Sequence, residues 1–367
     1  PEKDPFSRYN TNLKIGYEFC DNFEITAYAS YDKFKTDIDG FPPPTFAFAD
    51  TNDAYISKQK RVGVSPKLTY ENGSFQVNAA YTKIDRETIS SFGSTNEAES
   101  YVIDAFNKYV FDDAFYTIVG LNYGDYNSLF AEEESFTNTD PYLNLVYVSD
   151  FGLNLNAGGR MNNHSEYGSH FVYSLNPSYS IKVNDGYAKV FGSYATSFIA
   201  PNLSQLFGFF GANPDLEPEE NKTIEGGLEF STKKGFRASG VYFNRKEDNT
   251  IIYTTAYENA TTDATVHGFE FEAQLDLIKN LSIATNYTFT EVKDGVRLRI
   301  PKHKANASLG YTICKNTYAS LNYQFVGSRT DTNFSTFTNE DLSAYSLVDL
   351  YFSHKLINNK VKFFATV

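Results

Sequence analysis

The feature that most constrains this chain is a repeated alternation of apolar and polar side chains with a period of two residues. In the segment LSIATNYTFT, Leu281–Thr290, larger apolar or aromatic residues occupy most alternate positions, with small polar residues between them. Successive side chains of a β-strand point to opposite faces, so this pattern predicts a strand with one apolar and one polar face. The same pattern recurs in KANASLGYTI (304–313), FVYSLNPSYSIKV (171–183) and SFQVNAAYTKI (74–84). No long segment shows the period of about 3.6 residues that an amphipathic helix requires.

Tight turns and longer loops alternate between these strand segments. Tight turns are predicted at Asp21-Asn22, Asn72-Gly73, Asp112-Asp113, Asp150-Phe151, Asn184-Asp185, Lys234-Gly235, Lys279-Asn280, Lys315-Asn316 and Asn358-Asn359. Many of these pairs contain Asn, Asp or Gly, which tolerate the positive φ of a two-residue hairpin. Longer loops are predicted at residues 35–58, 87–97, 127–136, 164–170, 198–220, 249–263, 292–301 and 328–343. The chain is therefore expected to form about 18 antiparallel strands of roughly 10 to 13 residues, with short turns at one rim and long loops at the other.

These lengths predict an all-β fold, a transmembrane antiparallel β-barrel with short periplasmic turns and long extracellular loops. A tilted strand of about 9 to 11 residues spans the hydrocarbon core of a bilayer. Strands in soluble sandwiches are commonly about 5 or 6 residues long, and a large soluble β protein is the alternative. The chain contains 33 Phe and 28 Tyr. Aromatic residues at strand ends are expected to form belts at the two membrane interfaces, among them Tyr109, Phe111, Phe115, Tyr116 and Tyr126.

Charge and motif content argue against nucleic-acid binding and against catalysis. The net charge is −13, from 45 acidic and 32 basic residues, and no basic stripe is present. Binding to a phosphate backbone needs clustered Lys and Arg. The five histidines show no metal-ligand spacing, no glycine-rich phosphate loop occurs, and no nucleophile has a positioned base. We therefore expect no enzyme activity and no covalently bound cofactor. Cys20 and Cys314 lie far apart and are expected to be free thiols.

The stretch SYATSFIAPNLSQLFGFFGANPDLEPEENKTIEGGLEF, residues 193–230, interrupts the regular alternation. It closely resembles the signature region of TonB-dependent outer-membrane receptors. In that family an aromatic-x-Ala-Pro strand end is followed by a Leu-aromatic pair, then by Asn-Pro-x-Leu-x-Pro-Glu, and a Glu-Gly pair opens the next strand. The matching positions here are Phe198, Ala200-Pro201, Leu206-Phe207, Asn213-Pro214, Leu216, Pro218-Glu219 and Glu225-Gly226. The segment TSFIAPNLSQLFGF is most similar to the cobalamin (vitamin B12) receptor branch.

The resemblance implies a transport receptor of the bacterial outer membrane. Barrels of this family have 22 strands and a plugged lumen, so residues 1–367 are expected to be an incomplete barrel domain of a longer receptor, without the plug and the terminal strands. The implied cargo is cobalamin or a related corrinoid, imported with energy from TonB through the plug segment. A ferric siderophore, haem or an oligosaccharide are alternative cargoes, and a passive porin-type barrel is a further alternative. Outer-membrane lipids and a surface lipoprotein are the other partners expected.

Two groups of loop residues are the candidate sites. Substrate contact is predicted for residues of the signature loop, with loop packing as the alternative role: Phe198, Asn202, Gln205, Phe207, Phe209 and Phe210. Calcium binding is predicted for the aspartates of an earlier acidic loop, because cobalamin receptors hold calcium with loop aspartates and Ca²⁺ prefers oxygen ligands. These aspartates are Asp37, Asp39, Asp50 and Asp53, and a solvated acidic loop is the alternative.

Overall fold

The computed structural model describes residues 5–278, 280–294, 298–333, 336, 338–356 and 360–367. In chain order its strands are β1 (Phe6–Cys20), β2 (Phe23–Gly40), β3 (Ala49–Tyr70), β4 (Gly73–Ile89), β5 (Ser94–Val110), β6 (Phe115–Leu129), β7 (Glu133–Val148), β8 (Leu153–His164), β9 (Gly168–Val183), β10 (Gly186–Ile199), β11 (Glu219–Thr232), β12 (Phe236–Asp248), β13 (Ile251–Tyr253), β14 (Tyr257–Asn259), β15 (Ala264–Ile278), β16 (Leu281–Lys293), β17 (His303–Cys314), β18 (Thr317–Val326), β19 (Arg329–Asn333), β20 (Thr338–Leu342), β21 (Tyr345–Leu356) and β22 (Val361–Thr366). One short helix, α1 (Leu203–Phe207), lies between β10 and β11.

Over the described residues, eighteen of these strands form one antiparallel sheet. Each strand pairs with the next large strand along the chain, as in the unbroken β10–β11 register from Gly186↔Thr232 to Ile199↔Glu219. The strands β13 and β14 form a separate two-stranded hairpin, as do β19 and β20. This architecture confirms the all-β barrel and the number of strands expected from the sequence. No helix of the described part is long and apolar enough to cross a membrane.

The two faces of the sheet differ as the alternation predicts. On β17, Leu309 and Tyr311 are exposed to 41% and 47% on the outer face. The preceding residue, Ser308, points to the opposite face and donates a hydrogen bond of 2.8 Å to Asn322. Fully buried apolar residues are few, because most strand side chains face either lipid or the lumen. In the described part of the chain, the buried apolar side chains lie near the long-loop rim: Ala54, Pro201, Leu203, Leu206, Leu216, Ala264, Val266 and Val326.

The tight turns fall where the sequence places them in the described part of the chain. Strand ends flank six of the predicted pairs: Asp21-Asn22, Asp112-Asp113, Asp150-Phe151, Asn184-Asp185, Lys234-Gly235 and Lys315-Asn316. The seventh pair, Asn72-Gly73, lies at the turn between β3 and β4 and includes the first residue of β4. The pairs Lys279-Asn280 and Asn358-Asn359 include residues outside the described part. Aromatic rings cluster beside the turn after β5. There the ring centroid of Phe111 lies 4.7 Å from that of Tyr109 and 5.1 Å from that of Phe115. Tyr126 lies near the opposite rim and stacks on Phe136 at 4.9 Å.

Several predicted long loops are shorter in the structure because their strands continue. The strand β2 has 18 residues and β3 has 22, so the predicted loop 35–58 reduces to residues 41–48. Three other predicted loops are shorter for the same reason: 87–97 becomes 90–93, 127–136 becomes 130–132, and 164–170 becomes 165–167. The prediction of 10 to 13 residues per strand was too short here, because paired strands can satisfy their backbone hydrogen bonds well beyond the bilayer. Parts of the predicted loops 292–301 and 328–343 lie outside the described residues. Cys20 and Cys314 are free, as expected.

Candidate functional site

The signature loop runs from residue 200 to 218, between β10 and β11. Its helix α1 starts with a reciprocal cap: the Asn202 side chain accepts a hydrogen bond from the Gln205 backbone N–H, and the Gln205 side chain accepts one from the Asn202 N–H. A capping box of this kind satisfies two backbone donors that the helix leaves unpaired. On the opposite side of the helix, Leu203 and Leu206 are 8% and 6% exposed. The start of the loop is thus a small folded unit.

The hairpin of β13 and β14 packs against the middle of the signature loop. The Tyr257 N–H donates to the Gly211 carbonyl at 2.7 Å, and Asn213 Nδ2 donates to the Tyr257 carbonyl at 3.0 Å. Gly211 has φ of 64°, and a Cβ there would lie 2.7 Å from the ring of Tyr253. Only glycine combines this positive φ with so close an approach at low cost. The loop therefore follows the hairpin surface at a fixed distance.

One side chain, Asn259, joins three segments at the end of the loop. Its Nδ2 donates to the carbonyls of Glu217 and Asn249 at 2.9 and 2.8 Å, and its Oδ1 accepts from the Glu217 N–H at 2.9 Å. From the other side, Tyr167 Oη donates to the Leu216 carbonyl at 3.0 Å. Burial raises the pKa of Tyr167, which keeps this donor protonated. The loop is therefore held on both sides.

The predicted substrate residues fall into three environments. Phe198 stacks on His170 with ring centroids 4.1 Å apart, and its register places it on the same outer face as Val190. Asn202 and Gln205 direct their side-chain oxygens to each other's backbone in the helix cap. By contrast, Phe207, Phe209 and Phe210 are exposed to 37%, 52% and 67%. The structure thus brings these three phenylalanines together on one loop and gives the other three residues a contact within the protein.

Three residues that contribute to this site were missed from the sequence. Phe130, at the tip between β6 and β7, places its ring 6.2 Å from that of Phe209 in an edge-on contact. Asn259 and Tyr167 hold the loop through the hydrogen bonds described above. All three lie in predicted long loops or at their edges, so their position at the same rim was foreseeable. Their pairing with the signature loop was not, because loop residues carry no periodic signal.

The four aspartates of the acidic loop lie at the ends of β2 and β3. Asp37 is opposite Ala54, and Asp53 is opposite Ile38, so the Asp37 and Asp53 side chains leave opposite faces of this ribbon. Asp37 lies 3.8 Å from the Lys35 ammonium, and the Asp53 carboxylate packs over Gly40. Asp39 and Asp50 lie at the ends of the two strands. In the described ranges no group of three acidic, His or Cys side chains could hold a metal ion. The four carboxylates therefore do not converge in this arrangement of β2 and β3.

The lumen wall is polar and contains an open recess. A cavity of about 460 Å³ lies along the inner face from β12 to β21. Amides and charged groups line much of it, including Arg237, Glu272, Asn286, Asn306 and Asp349. Farther round the wall, Tyr142 Oη donates to Asp104 Oδ1 at 2.9 Å. A lumen with such a lining is hydrated or takes a polar occupant, since unpaired polar groups are costly to bury in an apolar environment.

Comparison with solved structures supports the same architecture. The siderophore receptor PirA from Acinetobacter baumannii superposes with a TM-score of 0.81 at 14% identity, covering 97% of this chain and 65% of that one. A ferric enterobactin receptor (PfeA) mutant from Pseudomonas aeruginosa gives 0.80 at 15%, with 97% and 63% covered. The copper transporter OprC gives 0.80 at 13%, with 99% and 66% covered. The chain thus spans less than two thirds of the length of these structures.

The strand topology, the polar lumen and the exposed apolar outer face define an integral β-barrel of an outer membrane. A family model described as "TonB dependent receptor-like, beta-barrel" matches residues 2–367. The chain belongs to the TonB-dependent receptor family, in its β-barrel part. Proteins of this family are transporters rather than enzymes, and they lie in the outer membrane of Gram-negative bacteria.

Proposed function

We propose that this barrel belongs to a receptor that binds a large, scarce ligand at the long-loop rim and imports it with energy from TonB. The observation that carries the proposal is the pinned signature loop, which presents Phe207, Phe209 and Phe210 to solvent from a fixed position. Exposed aromatic side chains on a held loop supply contact area at little conformational cost when a ligand binds. Coupling to TonB would run through a plug, the expected occupant of the polar lumen.

Energy dependence separates this proposal from a passive barrel. Uptake into cells that produce the receptor is measured with and without a protonophore, which collapses the inner-membrane proton gradient. We expect uptake of the cargo to stop when the gradient is lost. Uptake that continues at the same rate would favour the porin-type alternative instead.

For the cargo, we propose cobalamin or a related corrinoid, on the similarity of the segment TSFIAPNLSQLFGF to the cobalamin receptor branch. A ferric siderophore is the second candidate, because two of the structural relatives are named as receptors for siderophores. Binding of cyanocobalamin, ferric enterobactin and haem to the detergent-purified receptor distinguishes them. Tight binding of ferric enterobactin without any cyanocobalamin binding would replace our first candidate with the second.

The loop phenylalanines are the residues to change in that assay. Burying each exposed ring against a ligand is worth about 1.5 to 3 kcal/mol when burial is complete. We expect Phe209→Ala and Phe210→Ala each to weaken cargo binding at least about tenfold. Phe92→Ala is the matched control. Phe92 is 55% exposed on another loop, and its ring centroid lies 5.8 Å from that of Phe46. Equal losses in all three variants would remove the signature loop from the binding site.

Calcium binding to the acidic loop remains a prediction from the family resemblance. Because the aspartates do not converge in this arrangement of β2 and β3, binding of an ion would require the ends of the loop between these strands to move. Calorimetric titration of Ca²⁺ into the protein tests this, with Asp50→Asn and Asp53→Asn as variants and Asp21→Asn in a short turn as the control. Unchanged heats in the two loop variants would remove these residues as ligands.

A further inference from the structure

The segment of residues 164–170, at the long-loop tip between β8 and β9, contacts both the signature loop and the end of β10 that leads into it. Near the end of the loop, Tyr167 Oη donates a hydrogen bond of 3.0 Å to the carbonyl of Leu216, a residue that is only 2% exposed. Beside β10, the ring of His170 stacks on that of Phe198. We call residues 164–170 the clasp. Its conformation bears directly on where the signature loop lies.

The conformation of the clasp depends on a buried imidazole, that of His164. This side chain is 6% exposed, and its ring centroid lies 4.6 Å from that of Phe136 and 5.1 Å from that of Tyr167. Its Nδ1 accepts a hydrogen bond of 3.1 Å from the Glu166 N–H, which fixes the neutral tautomer with the proton on Nε2. Nε2 is buried and has no hydrogen-bond partner among the described residues. These surroundings suit a neutral imidazole, and they place no acceptor at Nε2.

A proton added to His164 would go to Nδ1 and break the hydrogen bond from Glu166, because an N–H would then face an N–H. The titratable groups nearest the ring lie on three segments: Asp140 on β7, Glu166 and Tyr167 in the clasp, and His170 on β9. Tyr126 on β6 and Arg160 on β8 interact in turn with the Asp140 carboxylate. Burial lowers the pKa of His164, and the charges of Glu166 and Asp140 offset only part of this effect.

Acid therefore favours an open clasp. Once His164 is exposed to water, its pKa returns to the ordinary value of about 6.5. Between that value and the lowered pKa of the closed clasp, the open state binds more protons than the closed state does. The closed clasp is thus fully stable above a pH of about 6.5, and it loses stability as the pH falls from there toward the lowered pKa.

The second histidine of the clasp, His170, tolerates a charge. Its Nε2 donates a hydrogen bond of 2.9 Å to the Tyr167 carbonyl, and its Nδ1 lies 3.4 Å from a carboxylate oxygen of Glu220. A proton on Nδ1 would therefore form an ion pair without disturbing the stacking on Phe198. The end of the clasp beside β10 stays attached in acid, and the end that carries the Tyr167 hydroxyl is the one released.

We propose that the clasp is an acid-sensitive switch, in which protonation of His164 withdraws Tyr167 from Leu216 and frees the signature loop. At neutral pH the loop is held both by the clasp and by Asn259, whereas in acid only the Asn259 contacts remain. This release does not depend on the identity of the cargo. Its consequence for binding rests on the proposed function: the exposed phenylalanines of the loop lose their fixed position, and the receptor releases its ligand in acid.

Hydrogen–deuterium exchange of the detergent-purified receptor without cargo tests the switch. Exchange is followed from about pH 7.5 to about pH 4.5, and each rate is divided by the intrinsic rate at that pH, so that it reports local opening. We expect the protection of residues 200–218 to fall below a pH of about 6.5, by at most about tenfold per pH unit, as one proton requires. The Thr69 N–H, which donates to the Asn22 carbonyl in a short turn, should keep its protection.

Two variants of His164 remove the titration while each keeps one contact. His164→Asn retains an acceptor for the Glu166 N–H, and His164→Phe retains the ring packing, so the acid-dependent loss of protection should disappear in both. Tyr167→Phe keeps the ring without its hydroxyl, and it should raise loop exchange already at neutral pH. His303→Asn is the matched control, because His303 also stacks on a tyrosine at the long-loop rim, 6.2 Å from Tyr287. This control should leave the acid-dependent step unchanged.

Three results would overturn the proposal: loop protection in the unaltered protein that does not fall in acid, an acid-dependent step that persists in both His164 variants, or a step that His303→Asn also removes. A step that vanishes in His170→Gln and persists in His164→Asn would overturn it too, since the proton would then act through Glu220. Heat-modifiable gel mobility establishes that each variant is folded. Because no cargo is present, these results are independent of the uptake and binding experiments that test the proposed function.

Discussion

Replacing Asn259 with alanine tests whether the signature loop owes its position to the neighbouring hairpin. The Asn259 amide makes three hydrogen bonds, to the Glu217 N–H and carbonyl and to the Asn249 carbonyl, at 2.8 to 2.9 Å. A hydrogen bond contributes about 1 kcal/mol net to stability, and part of this group is accessible to water. We therefore expect Asn259→Ala to favour local opening of the loop by about 2 kcal/mol, which corresponds to roughly a thirtyfold increase in the open population.

Hydrogen–deuterium exchange of the detergent-purified protein measures this opening directly. Amides of residues 200–218 should exchange roughly thirtyfold faster in the variant, as local openings of this kind control exchange. The Thr69 N–H, which donates to the Asn22 carbonyl at 2.8 Å in a short turn, is the internal reference and should not change. Thr255→Ala, an exposed change on the same hairpin, is the matched control. Unchanged exchange across the loop in Asn259→Ala would refute the reasoning, and the loop would then be held by its own apolar contacts.

Three further outcomes follow from particular contacts. Gly211→Ala should shift the loop and lower its local stability by about 1 to 3 kcal/mol, because a residue with a Cβ is strained at φ of 64° and the Cβ would overlap the hairpin. Faster hydrogen–deuterium exchange of the loop amides would show this loss. Gly120→Ala should lower the thermal midpoint of the barrel, since the added Cβ overlaps the Tyr142 ring; an unchanged midpoint would contradict the packing. The Arg299 hydrogen bond lowers the pKa of Asp331 below 3.8, so their contact contributes at pH above that value and is lost as pH falls through the lowered pKa. Exchange of the β19–β20 amides should therefore rise only in strong acid, whereas in Arg299→Gln this acid-dependent step should disappear.

Much of the barrel could be predicted because its strands and turns are specified by residues that lie close together in the sequence. The alternation in Leu281–Thr290 assigns both faces of β16, and pairs such as Asn184-Asp185 and Asn72-Gly73 mark reversals of the chain. Since strands in this architecture pair with their neighbours in sequence, the order of strands also fixes the topology. The lengths of β2 and β3 escaped prediction, because outside the bilayer no change in hydropathy marks where pairing must end.

The candidate site was only partly predictable for a different reason. The motif around Asn213-Pro214 identified the signature loop and its rim, and it named Phe209 and Phe210, which the fold leaves exposed. Nothing in the motif distinguishes them from Phe198, whose ring is taken up by stacking on His170. That distinction depends on which strand lies beside β10 and at what register.

The sequence by itself determined that the chain forms an antiparallel barrel with long loops at one rim, because a two-residue period and turn residues act within a few positions of each other. Only the tertiary structure decided that Asn202 and Gln205 cap a helix and that Asn259 holds the loop through hydrogen bonds to Glu217 and Asn249. Each of these depends on contacts between segments that are separated along the chain, and register and loop packing are settled only when the sheet assembles.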